Sequence, residues 1–235
     1  MLGWFRKKPA SPAARSAPPA PPTAGHPLRE LLFGDYPLEA WAPGGDAPRT
    51  GEPWTRFADA LARRERGDVT GARNALAEIV RQPGLESRHR VQAWHALRDL
   101  GQDPPPTEAK HVYGVVVDMP TPAGLDTLAA YEDRSARFLS HGGGAVVWEH
   151  PDASLDAAVD ALLAAGRALV GPIGPWAGVR PPLPPGEARI SILTPSGLHF
   201  GQGPVGVFRG DARAAPVLAA ATALMQALIT KAVPR

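Results

Sequence analysis

Residues 112–119 read VYGVVVDM, and this apolar, β-branched stretch decides the fold class of the chain. Alternation along a strand places Tyr113, Val115 and Val117 on one face and Val112 and Val116 on the other. Because both faces are apolar, we expect other parts of the chain to cover the strand on both sides. The sequence therefore predicts a buried strand at the centre of the fold.

Three more runs with strand periodicity follow, and a turn signal separates each from the next. They are LDTLAAY (125–131), ARFLS (136–140) and AVVWEH (145–150), with turns at 132–135 and at the glycines 142–144. Short turns join strands antiparallel, so these runs predict a meander. A second hairpin is predicted in ARISILTPSGLHFGQ (188–202), which turns at Pro195-Ser196-Gly197.

Two helical patterns are predicted to pack on this sheet. The first follows a cap at Asp152 or Ser154 and ends at Val170, before Gly171-Pro172. The second spans about 211–231; its apolar run contains Pro216 and is mostly alanine, which favours a buried helix over a membrane span. Helices on an antiparallel sheet define an α+β domain over residues 108–235.

Residues 52–103 show helical periodicity in three successive segments, broken at Gly67-Asp68 and Pro83-Gly84. The run ALARRERGDVTGARNALAEIVRQPG (60–84) resembles one tetratricopeptide (TPR) repeat, with Ala72 and Leu76 on its second helix. The aromatic and leucine of the first helix are out of register, and Ile79 replaces a small residue, so an ordinary helical hairpin stays an alternative. One repeat cannot bury its apolar face alone, so this unit should lean on the rest of the chain.

Residues 108–231 resemble uncharacterised domains of bacterial proteins through GLDTLAAY, the glycine turn before VVWE, IGPW and LTPSGLHFG. That resemblance implies domain boundaries and no particular activity.

The first 27 residues are predicted to be a disordered tail rich in proline and alanine. Its tip, MLGWFRKK, joins apolar residues to three cations and can contact an anionic membrane, but one short segment is weak anchorage, which favours a solvated tail. Residues 28–51 predict a short helix and a loop, with Leu31, Leu32, Phe33 and Trp41 packed against the fold.

Composition and charge exclude several classes of protein. The chain of 235 residues has no cysteine, which removes disulfides and thiolate catalysis and fits a reducing compartment such as the cytoplasm. Arginine outnumbers lysine by 21 to 4 and alanine is abundant, which indicates a GC-rich, bacterial genome. No apolar stretch follows the first eight residues, so no signal peptide is predicted. Residues 52–103 carry nine arginines against eight acids. We therefore expect no nucleic-acid partner.

Motifs for cofactors and catalysis are incomplete. His141 begins an HGGG run like the oxyanion loop of one esterase family, but no G-x-S-x-G follows, so the run predicts a tight turn. Residues 201–206 match G-x-G-x-x-G without a second strand, which favours a loop. Glu149 and His150 are of the residue types that bind metals, but neighbouring residues of a strand point to opposite faces, so they predict no shared metal site. No catalytic residue, cofactor or metal site is predicted.

The leading hypothesis is a non-enzymatic adaptor or accessory protein with a protein or peptide partner. Trp176 and Arg180, in a segment rich in proline and glycine, are the candidate contact residues, although a tryptophan that pins its own loop is the simpler interpretation.

The alternative is an enzyme or small-ligand-binding protein that uses polar residues near the sheet end: Asp118, Arg137, His141 and His199. Ser196 and His199 suggest a nucleophile and its base, but no orienting acid is visible, so the hypothesis treats Ser196 as a turn residue. A pocket lined by several of these residues would favour the alternative, whereas a flat sheet face and a groove between helices would favour the adaptor.

Overall fold

The computed structural model describes residues 26–41 and 50–232. The helices are α1 (Leu38–Trp41), α2 (Trp54–Glu65), α3 (Val69–Arg81), α4 (Ser87–Asp99), α5 (Asp156–Val170), α6 (Val205–Gly210) and α7 (Ala214–Ala232), with a 3₁₀ helix at Arg29–Leu32. The strands are β1 (Gly114–Thr121), β2 (Gly124–Tyr131), β3 (Ala136–Leu139), β4 (Ala145–Trp148), β5 (Glu187–Thr194) and β6 (Gly197–Pro204). The predicted α+β class is confirmed.

The six strands form one antiparallel sheet in the order β4-β3-β2-β1-β5-β6. β1 is central: Val116 pairs with Ala129 of β2 on one side and with Ser191 of β5 on the other. The predicted meander is β1 to β4, and the predicted hairpin is β5 and β6. Both are confirmed, because the turn signals that define them are local.

Helices cover both faces of this sheet, which explains why Val115, Val116 and Val117 are fully buried. The first face packs against α5, α6 and α7 through a cluster that includes Val115, Val117, Ile190 and Ile192. The second face packs against α2, α3 and α4 through a cluster that includes Val116, Ala129, Tyr131 and Leu193.

The helical unit α2 to α4 buries its apolar stripe on the sheet. Phe57, Leu76, Ile79 and Leu97 share one hydrophobic cluster with residues of β1, β2, β3 and β5. The division into units 52–103 and 108–235 stays a prediction, but the two segments share a core.

A reciprocal pair of hydrogen bonds attaches the start of α4 to the β2–β3 turn. The backbone N–H of Ser87 donates to Asp133 Oδ2 at 2.6 Å, and the N–H of Asp133 donates to Ser87 Oγ at 3.0 Å. Since the first N–H groups of a helix lack intrahelical partners, the sheet supplies the N-terminal cap of this helix.

Several details differ from the sequence predictions. Tyr113 packs in the second-face cluster, apart from Val115 and Val117, because β1 begins only at Gly114 and the alternation does not reach residue 113. Leu31 is exposed, whereas Leu32 and Phe33 are buried as predicted. Neither Asp152 nor Ser154 caps α5: Asp152 accepts from the N–H of Ser154 instead, two residues ahead of the helix.

The end of the chain contains one more helix than predicted. Gly201 and Gly203 lie in β6, and Gly206 lies in α6, so the G-x-G-x-x-G match spans a strand and a helix, and the predicted loop is wrong. Asp211 then accepts from the N–H of Ala214 at 2.8 Å, which starts α7 close to the predicted position.

α7 is long and apolar enough to cross a membrane, judged by length and composition alone. Its buried stripe packs into the first-face cluster through Ala214, Val217, Leu218, Ala221, Leu224 and Leu228.

The predicted disordered tail and its membrane-contacting tip lie outside the described residues, apart from residues 26 and 27. Most of the predicted loop, residues 42–49, and the side chain of Trp41 also lie outside them. Residues 26–41, which we call the N-terminal strap, cross the second face of the sheet.

Candidate functional site

A row of polar side chains crosses the second face of the sheet on four neighbouring strands. The strand register places Thr127, Asp118, Arg189 and Gln202 side by side on β2, β1, β5 and β6. Thr127 Oγ1 donates to Asp118 Oδ1 at 2.8 Å, and Arg189 Nε donates to Gln202 Oε1 at 3.1 Å. Asp118 is 0% exposed and Arg189 is 1% exposed. We call these four residues the polar row.

Burial changes the ionisation of Arg189. Removal from water lowers the pKa of its guanidinium to about 10, and the nearby cations Arg29 and Arg180 act in the same direction, whereas Asp118 opposes them. The side chain also donates to the carbonyl of Pro181. Arg189 is thus a charged group held inside the fold by acceptors from two segments.

The N-terminal strap covers the polar row and pairs with it. Arg29 Nε donates to Asp118 Oδ1 at 2.7 Å, and a second N–H of the same guanidinium donates to Oδ2. Tyr131 donates its hydroxyl to the carbonyl of Leu32 at 2.7 Å. Asp118 therefore accepts hydrogen bonds from two N–H groups of Arg29 and from the hydroxyl of Thr127, and these bonds use both carboxylate oxygens.

Arg180, from the segment between α5 and β5, joins the same network. Its Nη2 donates to Glu30 Oε2 at 2.6 Å and to Asp35 Oδ1 at 3.2 Å, and its guanidinium carbon lies 3.6 Å from the centre of the Phe33 ring. Arg29 also binds Glu30 at 2.5 Å. The predicted residues Asp118 and Arg180 thus belong to one ion-pair network, and that network holds the strap in place.

The structure places Arg137 and His141 apart from this network. Arg137 is buried on β3, where Nη1 donates to the carbonyl of Trp148 at 3.0 Å and Nη2 binds Glu149. His141 lies on the β3–β4 turn, with Nδ1 2.8 Å from Asp126 Oδ1. Both side chains fix the edge of the sheet.

The triple glycine forms the predicted turn. The N–H of Ser140 donates to the carbonyl of Gly144 at 2.8 Å, and Gly143 has a φ of +87°, which favours glycine.

His150 binds Asp156 at 2.9 Å. Within the ranges that the structure covers, no group of three or more His, Cys, Asp or Glu residues could hold a metal ion.

Residues 171–185, which we call the Trp176 loop, contain no helix or strand. The backbone N–H of Trp176 donates to the carbonyl of Leu198 at 2.7 Å, so the loop runs along the outer edge of β6. The indole Nε1 donates to the carbonyl of Val179 at 3.1 Å, and the ring stands edge-on to Phe200 at 5.1 Å. Even so, Trp176 is 49% exposed and Val179 is 93% exposed.

His199 lies on the first face of the sheet, whereas Asp118 and Arg189 lie on the second face. Its Nδ1 lies 2.9 Å from the carbonyl oxygen of Ile173, and its Nε2 lies 3.0 Å from Ser196 Oγ and 3.1 Å from Thr194 Oγ1. Burial lowers the pKa of the imidazole, and the positive charges of Lys110 and Arg98 lower it further. Ser196 occupies the tip of the β5–β6 hairpin and is half-buried.

Three surface cavities in the described part of the chain leave out the six candidate residues. Two surface cavities of about 270 Å³ and 200 Å³ lie on α2 and α3, and one of about 360 Å³ lies beside α7. None of the three is lined by Asp118, Arg137, His141, Trp176, Arg180 or His199.

Sequence reasoning missed the arginines that surround Asp118. Arg189 is visible in the sequence, because it interrupts the apolar strand ARISILT as Asp118 interrupts VVVDM. The two side chains bond to other groups, however: Arg189 to Gln202 and the carbonyl of Pro181, and Asp118 to Arg29 and Thr127. The sequence gives no sign of the contact between Arg29 and Asp118, because the two residues are 89 positions apart.

Comparisons with protein-family models, with curated proteins and with solved structures find no match for this chain.

Proposed function

We propose that this chain is a cytoplasmic protein-interaction protein, an adaptor or accessory factor, and that the Trp176 loop is its contact surface. One observation carries the proposal: Trp176 is exposed to solvent and is also held in place by contacts within the fold. Half of the side chain is open to solvent, while its backbone, its indole N–H and its ring each have a partner within the fold.

A tryptophan held in this way is suited to binding, because its side chain is already ordered before a partner arrives. Association costs free energy for each side chain and loop that becomes immobile, and a pre-ordered tryptophan avoids much of that cost. Tryptophan is also among the residues that dominate binding energies at interfaces. Val179, bonded through its carbonyl to the indole, extends the apolar surface. We infer a protein partner with an apolar pocket.

Buried and partly buried residues hold the loop in place. Ile173 and Leu183 are buried at its two ends, and Arg180 binds Glu30 and Asp35 of the strap. These anchors support a contact surface that keeps its shape when a partner arrives.

The helical unit offers a second contact surface. If α2 and α3 are a TPR-like hairpin, the groove between these helices would bind a peptide segment. The cavity of about 270 Å³ there is lined by Arg56, Glu78, Arg81 and Gln82, which favours a polar segment.

The alternative, an enzyme or small-ligand-binding protein, rests on one pair of residues. Asp118, Arg137 and His141 are bound to other side chains, whereas His199 faces the hydroxyl of a half-buried serine.

Affinity capture from the native cell, read by quantitative mass spectrometry, tests the proposal. The full chain is compared with Trp176→Ala and with Val69→Ala, a matched control at an exposed apolar position on α3. Point variants are used because deletion of residues 52–103 would remove part of the second-face core. The proposal expects a partner that Trp176→Ala loses and Val69→Ala keeps. Equal capture by all three chains would contradict it.

A further inference from the structure

The tautomer of His199 follows from its hydrogen bonds. Nδ1 lies 2.9 Å from the carbonyl oxygen of Ile173, and a carbonyl can only accept, so Nδ1 carries the proton. In the neutral ring, Nε2 is then the unprotonated acceptor. Burial lowers the pKa of His199, which keeps the ring neutral at physiological pH. A backbone carbonyl thus orients this imidazole in the way that an acid orients the histidine of a catalytic triad.

Two hydroxyl groups lie within reach of Nε2, and their other partners decide which one donates. Thr194 Oγ1 donates to the carbonyl of Gly197 at 3.0 Å, which uses its only proton. Ser196 Oγ lies 3.0 Å from Nε2 and 3.0 Å from Thr194 Oγ1, so its O–H has two acceptors within reach, and the rotamer of the hydroxyl that points to Nε2 is the one the reaction uses. Nucleophile, base and orienting group are therefore aligned within hydrogen-bonding distance.

Access and charge at the hairpin tip also suit a nucleophile. Ser196 is half-buried at the hairpin tip, while His199 is fully buried. Arg98 donates to the carbonyl of Pro195, and its guanidinium carbon lies 3.7 Å from the point where a side chain at Gly197 would begin. A cation fixed at this tip would stabilise negative charge that develops on a substrate oxygen.

We propose that Ser196 is a nucleophile toward carboxylic esters and that His199 is its general base. Ser196 Oγ attacks the ester carbonyl carbon while its proton passes to His199 Nε2. The bond to the leaving alkoxide breaks, the alkoxide takes the proton from Nε2, and an alcohol departs from the acyl-serine. Water then attacks the acyl carbon while one of its protons passes to His199 Nε2. The bond from the acyl carbon to Ser196 Oγ breaks, Oγ takes the proton back from Nε2, and the carboxylic acid departs.

This chemistry is independent of the contact proposed for the Trp176 loop, although the two lie on adjacent segments. The carbonyl of Ile173 that orients His199 belongs to the Trp176 loop. Loss of a protein partner in Trp176→Ala and loss of esterase chemistry in Ser196→Ala are separate results, so either proposal can fail alone.

Labelling with a fluorophosphonate tests the nucleophile directly, because the reagent reports one covalent event. Serine oxygen forms a bond to phosphorus, fluoride leaves, and the serine proton passes to His199. The full chain is incubated with the probe, and its mass and modified peptides are measured beside Ser196→Ala, His199→Gln and Ser154→Ala, a control at an exposed serine. We expect one adduct, on Ser196, that is absent in Ser196→Ala, slowed at least about tenfold in His199→Gln and retained in Ser154→Ala.

The pH dependence of labelling in the unchanged chain keeps the test valid if His199→Gln fails to fold. With a neutral base the rate should reach a plateau above about pH 6.5, the ordinary histidine pKa. No adduct at Ser196, equal labelling of other serines, or a rate that keeps rising about tenfold per pH unit through pH 9 would overturn the proposal. Hydrolysis of p-nitrophenyl acetate, lost in Ser196→Ala, then tests turnover.

Discussion

Arg29 Nε lies 2.7 Å from Asp118 Oδ1, so a residue of the N-terminal strap completes an ion pair with a carboxylate that is fully buried in the central strand. Because Asp118 is shielded from bulk solvent, its charge is stabilised by Arg29 and Thr127. The strap is therefore part of the folded unit.

Removal of Arg29 should destabilise the fold strongly. Arg29→Ala leaves a buried carboxylate without its cation, which costs about 3–5 kcal/mol when one partner of a buried pair is lost. Urea denaturation measures the change in the free energy of unfolding. Arg134→Ala, which removes an exposed pair with Asp156 and Asp160, is the control and should have a much smaller effect. Equal losses in the two variants would contradict the structural role of Arg29.

The hydroxyl of Tyr131 should contribute less to the free energy of unfolding than Arg29 does. Tyr131→Phe removes its 2.7 Å hydrogen bond to the carbonyl of Leu32 and leaves the ring in the core. We expect a loss of about 1 kcal/mol, the usual net value of one buried hydrogen bond. Hydrogen exchange should show faster opening of the strap. Unchanged exchange there would mean that this bond does not hold the strap.

Close packing between α5 and β1 should make Gly166 hard to replace. A Cβ at this position would lie 2.5 Å from Val115 Cγ2, and Val115 is a stiff, fully buried side chain at the centre of the sheet. Gly166→Ala gains up to about 1 kcal/mol of helix propensity but should lose about 1–3 kcal/mol to overpacking. Gly171→Ala, with open space around its Cβ, is the control. A melting temperature for Gly166→Ala that rises above the unchanged chain would refute this packing.

The stability of the chain should depend on His199 below neutral pH. Burial lowers the pKa of His199 in the folded state, so the unfolded chain binds the proton more readily. The free energy of unfolding should therefore fall as the pH drops below about 6.5, the pKa of an unfolded histidine. His199→Gln should flatten that fall in part, because His95 also has a pKa lowered by burial. A slope identical in both chains would contradict the prediction.

The sheet could be predicted from the sequence because its signals are local. Alternation, the glycines 142–144 and Pro195-Ser196-Gly197 define strands and turns within a few residues of each other. α6 was missed because six residues between Pro204 and Asp211 are too few to show helical periodicity.

The candidate site was less predictable, because its contacts join distant residues. Trp176 could be singled out, since proline and glycine around it favour an irregular surface loop. The partner of His199 could not, because a backbone carbonyl such as that of Ile173 leaves no mark in the sequence. Asp118 and Arg180 are candidate residues in the sequence, but their partners Arg29 and Glu30 come from the strap.

Site-specific photocrosslinking from residue 179 tests the proposed contact surface most directly. Val179 is replaced by photoreactive p-benzoylphenylalanine in the native cell, with the same reagent at Val69 and Ile229, two other exposed apolar positions, as controls. The account predicts a discrete protein crosslink from position 179 alone, and its loss when Trp176→Ala is added. Crosslinks of equal yield from all three positions, or a position-179 crosslink that persists without Trp176, would contradict it.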